Sequence, residues 1–125
     1  MILDTNAVSA WCDDDAALLA VLPTDRPLFI PAIVLGEYRF GIKVTRDRKI
    51  REAWLEDVES AVTVLDVNSE TGRHYADVRE ELRKARKPIP ENDLWIAALA
   101  RQHGLPLITR DGHFDNVADL RRVGW

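Results

Sequence analysis

Residues Pro90–Asp111 read PENDLWIAALARQHGLPLITRD, and this stretch decides the fold class. Pro90 to Gln102 is the clearest helical segment in the chain. Leu94, Ala97 and Ala98 form one stripe, and Ile96, Leu99 and Ala100 widen the apolar arc, as expected of a helix with neighbours on two sides. Gly104 suits the left-handed turn that closes a helix. Leu105–Thr109 then returns to strand, and Asp111 follows at once. A buried helix, a glycine stop and a short apolar strand ending in an acid is one unit of an α/β chain.

Working outward, the same grammar recurs. Met1–Leu3 is a brief apolar run ending at Asp4, and it reads as a buried strand. Asp13–Leu22 reads as a small helix with Ala16, Leu19, Ala20 and Leu22 inward, and Leu28–Ile30 as a second strand. Pro31 suits a first helical turn, where a missing N–H leaves nothing unpaired. A helical pair is expected over about residues 32–60. Its first member carries Ile33, Val34, Phe40 and Ile42, its second Ile50, Ala53, Trp54, Asp57 and Val58. Gly36 and Gly41 interrupt the first helix at about 0.5–1 kcal/mol each, so close packing is expected there. Ala61–Val67 is β-branched and reads as a third strand. A helix from Ser69 to about Ala85 follows, with Tyr75, Val78 and Leu82 inward, and it stops before Pro88. The alternation predicts a three-layer α/β/α sandwich on a mainly parallel sheet, with residues 1–125 as a single domain.

Composition narrows the function classes. The 125 residues are 46% hydrophobic and 30% charged, which argues against disorder. No apolar run is long enough for a membrane helix, and the opening MILDT lacks the pattern of a secretory signal, so a cytoplasmic location is expected. A sole cysteine, Cys12, excludes an intrachain disulfide and a cysteine metal cluster. Seventeen basic against twenty-one acidic residues give a formal charge of −4. That balance is wrong for coating nucleic acid by bulk attraction, though local basic patches remain at Arg39–Arg51 and Arg79–Lys87.

Four acids stand at element ends or inside apolar helices. Asp4 and Asp111 follow the first and last strands, and carboxyl ends of parallel strands line a crevice where ligands bind. Glu37 and Asp93 lie within PAIVLGEYRFG and NDLWIAALA. Carboxylates among apolar neighbours call for a partner, and a hard divalent cation would serve. A turn role for Asp111 and a helix-dipole role for Asp93 are the plain alternatives. The run Asp13–Asp15 reads as a helix start, and His74, His103 and His113 show no metal-ligand spacing.

The stretches ILDTNAVSA, the Glu37 helix ending EYRFGI, NDLWIAALA and TRDGHFDNV occur in an order that resembles the PIN-domain nucleases, most closely the small VapC-type toxins of bacterial toxin–antitoxin systems. The resemblance spans most of the chain. It implies a metal-dependent endoribonuclease in which Asp4 and Asp93 are the principal ligands of Mg²⁺ or Mn²⁺, and Glu37 and Asp111 complete the site directly or through water. Thr5, Asn6 and Thr109 match flanking polar residues that position ligands, or else serve as caps and turn formers. Asp111 fits the strand-end position best, with Asp115 as the reserve fourth acid. The resemblance further implies an RNA substrate, a homodimer and a cognate VapB-like antitoxin lying across residues 32–60, where Phe40, Val44 and Trp54 are candidate contacts. Tyr38, Trp54 and Trp95 are candidates for stacking on RNA or for core packing. A related RNA-processing or single-stranded DNA nuclease, and a non-enzymatic peptide-binding module, are the competing readings.

Overall fold

Five strands in the order β3-β2-β1-β4-β5 form the sheet, and every neighbouring pair is parallel. The computed structural model describes residues 1–125. The strands are β1 (Ile2–Leu3), β2 (Phe29–Pro31), β3 (Thr63–Leu65), β4 (Leu107–Ile108) and β5 (Arg122–Val123). The helices are α1 (Thr5–Cys12), α2 (Ala16–Val21), α3 (Ala32–Ile42), α4 (Arg48–Ala61), α5 (Ser69–Lys84) and α6 (Glu91–His103). A 3-10 turn covers Gly112–Asn116. Helices flank the parallel sheet, as the alternation of elements predicts.

Ile2 pairs with Phe29 on one side and Leu107 on the other. The chain therefore winds outward from β1 in both directions, and the gap between β1 and β4 is the switch point at which open parallel sheets bind ligands. Ile2, Leu3, Ile30, Leu107 and Ile108 are fully buried, continuous with Val34, Leu55, Val78, Ile96 and Phe114. Short runs without alternation are what a sheet covered on both faces requires. No helix is long and apolar enough to cross a membrane.

Several local expectations need correction. Helix α1 and strand β5 have no counterpart in the sequence reading. Asp4 caps α1 through the Thr5 amide, so one acid both ends a strand and starts a helix. In α2 it is Leu18 that is buried, whereas Ala16, Leu19 and Ala20 are exposed. Six consecutive apolar residues hide their own phase. Phe40 and Ile50 face solvent, and Tyr38 and Leu55 take the inward positions. A Cβ at Gly36 or Gly41 would meet nothing within 4 Å, so close packing within the chain does not explain these glycines. Pro31 ends β2 and precedes α3 instead of lying in its first turn.

The α6 reading holds: Leu94, Ile96, Ala97, Ala98, Leu99 and Ala100 are all buried, and Gly104 closes the helix at φ 62. Asp15 caps α2, accepting from the Ala17 and Leu18 amides. Asp13 instead ion-pairs with Arg51 at 2.8 Å. Cys12 packs against the core.

Candidate active site

Asp4 leaves β1 at the switch point and is only 5% exposed. Its Oδ1 accepts the Thr5 amide at 2.7 Å. Its Oδ2 accepts the Thr109 hydroxyl at 2.7 Å and Asn6 Nδ2 at 3.3 Å. Thr109 follows β4 in full burial, and its Oγ1 accepts both Asn6 Nδ2 at 3.1 Å and the Asp111 amide at 3.0 Å. Asn6 Oδ1 in turn accepts the Arg110 amide at 3.2 Å. Asp4, Asn6 and Thr109 thus fasten the two strand ends to each other and hold the backbone that carries Asp111.

The other two acids arrive on helices. Asp93 lies in the first turn of α6, where exposed amides favour negative charge. Glu37 lies mid-helix on α3, and its Oε1 is buried without a hydrogen-bond partner, as is the Thr5 hydroxyl. Burial raises the Asp93 pKa to about 6, reinforced by the charges of Asp4, Asp111 and Glu37. Burial, followed by the Asp4 charge, raises Glu37 as well. Asp4 is also raised, chiefly by desolvation and against the pull of its hydrogen bonds. The charges of Asp4, Asp111 and Glu37 all act on Asp93, so the structure brings the four carboxylates together.

Asp115 is not part of this group. Both its oxygens engage Arg122, at 2.7 and 3.0 Å, and that cation holds its pKa below the usual carboxylate range. His113 is the residue that spacing missed. Its Nδ1 lies 3.1 Å from Asp111 and 3.8 Å from Asp93. Asp111 Oδ1 accepts the His113 amide at 2.9 Å, so an Asx turn delivers the ring, and the Asp-Gly-His tripeptide was the available signal. One ligand-capable atom from each of Asp93, Asp111 and His113 falls within 4.8 Å of the others.

The remaining candidates are otherwise engaged. Tyr38 is buried beside Trp54, which meets Trp11 edge-on at 5.7 Å; these rings are core, as one of the two readings allowed. Trp95 stacks on Tyr75 at 4.0 Å. In the first basic stretch Arg39, Arg48 and Arg51 pair with Glu59, Glu52 and Asp47.

The donor set is all oxygen with one imidazole at its rim, the choice of a hard divalent ion. A buried Glu37 oxygen without a hydrogen bond and a raised Asp93 are the strain that such an ion would relieve, so these residues fit a hard divalent cation.

Known proteins share this sequence pattern and fold. The PIN domain family model matches residues 1–120. Ribonuclease VapC2 of Haemophilus influenzae is 33% identical over 97 residues, covering 77% of this chain and 74% of that protein. Ribonuclease VapC5 of Mycobacterium tuberculosis is 32% identical over 115 residues, covering 90% and 84%. In structure, VapBC-5, a member of the VapBC family of toxin–antitoxin systems from M. tuberculosis, superposes with a TM-score of 0.77 at 33% identity over 99% of this chain and 97% of that one. VapBC2 from Rickettsia felis bound to a promoter DNA fragment gives 0.86 at 24% identity, covering 99% and 97%. With its acids at the switch point of a parallel sheet and a family match across nearly its whole length, the chain belongs to the PIN domain family.

Proposed function

We propose that this protein is a metal-dependent endoribonuclease, the toxin of a type II toxin–antitoxin pair, acting in the cytoplasm as a single domain over residues 1–125. The mutual influence of the Asp4, Glu37, Asp93 and Asp111 charges carries the reading. Relatives named ribonucleases and solved VapBC assemblies support its substrate class and partner.

Asp4 and Asp93 are the principal ligands, Glu37 and Asp111 complete the set, and Asp115 is left to its Arg122 pair. Bound Mg²⁺ or Mn²⁺ supplies a more acidic water and neutralises charge developing on phosphate. The chain's own residues do the positioning. Thr109 and Asn6 fix the rotamer of Asp4, and the Thr109 hydroxyl fixes the backbone of Asp111. The buried Thr5 hydroxyl lies beside Glu37 and opposes the upward pull of burial on its carboxyl. No protein nucleophile is needed, and the products carry 5′-phosphate and 3′-hydroxyl ends.

A VapB-like antitoxin and a second copy of the chain are the expected partners. Phe40 on α3 and Val44 in the turn after it are 77% and 92% exposed and remain candidate antitoxin contacts, whereas Trp54, packed on Trp11 and Tyr38, is withdrawn from that role. The test is cleavage of a mixed RNA pool with Mg²⁺ or Mn²⁺. Cleavage abolished by EDTA and by Asp93→Asn supports the reading; cleavage surviving both overturns it.

A further inference from the structure

The corner where α5 gives way to α6 holds a cleft of about 330 Å³, within the range of ligand pockets, roughly 300–1,000 Å³. Leu82, Ile89 and Leu94 give it an apolar lining, and Arg79 and Arg83 also line it. Glu91 adds a negative charge, but the Tyr75 hydroxyl donates to it and Arg79 pairs with it at 3.4 Å. Arg83 is held by Glu80 at 2.7 Å.

Just beyond the end of α5, Arg86 and Lys87 are exposed and have no carboxylate within ion-pair distance. Arg86 adopts φ 56, at the helix end where glycine is the common solution. A cation therefore stands where the backbone favours glycine, which points from conformation to use. In a chain of net charge −4, the nine residues Arg79–Lys87 hold five cations and two acids. The cleft also shares the first turns of α6 with Asp93, because Glu91 and Leu94 line it.

A slot walled by the exposed Arg79 and Arg83 side chains over a buried floor of Leu82, Ile89 and Leu94, next along the chain to Arg86 and Lys87, is complementary to an unstacked base resting on a guanidinium plane with its flanking phosphates on cations. We propose that this cleft takes one unpaired base of a single-stranded RNA, with the neighbouring phosphates on Arg86 and Lys87, and so leads the strand to the acidic pocket. The proposal rests on the ribonuclease reading and names how its substrate is held.

The experiment uses the full-length Asp93→Asn protein and a short fluorescein-labelled single-stranded RNA of mixed sequence, with binding read by anisotropy across a salt series. Adding Arg86→Glu and Lys87→Glu is expected to weaken binding about ten-fold or more and to lower the salt slope by about two. Adding Arg46→Glu and Lys49→Glu, two exposed cations elsewhere, is expected to change it by less than about two-fold. Photo-crosslinks from 4-thiouridine in the same RNA are expected between Leu82 and Leu94. Unchanged binding in the Arg86/Lys87 variant, crosslinks confined to α3 and α4, or a change in sedimenting mass that marks this face as a contact between copies would each overturn the proposal. Cleavage by the wild-type chain, assayed in parallel, reports on the ribonuclease reading separately: RNA bound at the cleft but never cut removes the activity, and RNA cut normally without help from the cleft removes the cleft.

Discussion

The Thr109 hydroxyl donates to Asp4 Oδ2 at 2.7 Å across 105 positions of sequence. This one buried bond joins the ends of β1 and β4 at the switch point of the sheet. Because the same oxygen accepts the Asp111 amide, a single side chain sets the spacing of two of the four acids.

Thr109→Val keeps the shape and removes the donor. It is expected to destabilise the fold by about 1–3 kcal/mol, the usual cost of leaving a buried polar group unsatisfied. Cleavage should fall by about ten-fold or more, because displaced catalytic groups lose rate steeply. Thr109→Ser should restore most of both. Urea unfolding and a nuclease assay on the same preparations check this, and equal behaviour of the Val and Ser variants would remove the hydroxyl from the account.

Asp93→Asn separates chemistry from stability. Activity is expected to drop by about 10²-fold or more, while the metal-free protein melts a few degrees higher, on the order of the shift that 1 kcal/mol produces. The sign follows from proton linkage. The folded pKa of Asp93, about 6, lies above the ordinary 3.8, so the folded state holds its proton more tightly. That contribution is fully present below 3.8 and is lost as pH rises through 6. Melting of the metal-free wild type near pH 7 and pH 5 should show greater stability at the lower value, and Asp93→Asn should shrink the difference.

Divalent metal should reverse that trend. At a concentration about 100 times its dissociation constant, Mg²⁺ or Mn²⁺ is expected to add about 2.7 kcal/mol to the folded state. The thermal shift should be abolished by EDTA and largely absent in Asp4→Asn. A shift of undiminished size in that variant would place the ion elsewhere.

The two candidates for the fourth acid predict opposite phenotypes. Asp111→Asn should lose cleavage. Asp115→Asn should keep it and leave the melting temperature nearly unchanged, because its ion pair with Arg122 on β5 is exposed to solvent. A kinetic and melting comparison of the two decides between them.

Much of the site was legible because its residues break their surroundings. Glu37 and Asp93 interrupt apolar helices, Asp4 and Asp111 terminate apolar strands, and each anomaly is visible without coordinates. Helix α1 escaped because Asp4 was already assigned to the strand it ends, although Ala7, Val8 and Ala10 carry the buried face. The choice of Leu18 over Leu19 and the pairing of Arg122–Val123 with β4 depend on neighbours that local pattern does not name. His113 and the Arg122–Asp115 pair depend on the turn that follows Asp111.

The alternation of strands and helices from β2 to β4, the glycine that closes α6 and the candidacy of Asp4, Glu37 and Asp93 follow from the chain alone, because periodicity and misplaced charge are local properties of a sequence. Only the folded sheet decided that β1 and β4 are neighbours and that Asp111, not Asp115, adds its charge to those of Asp4 and Glu37 around Asp93. Those outcomes are fixed by side chains far apart in sequence, whose desolvation and mutual repulsion exist only after the core has closed.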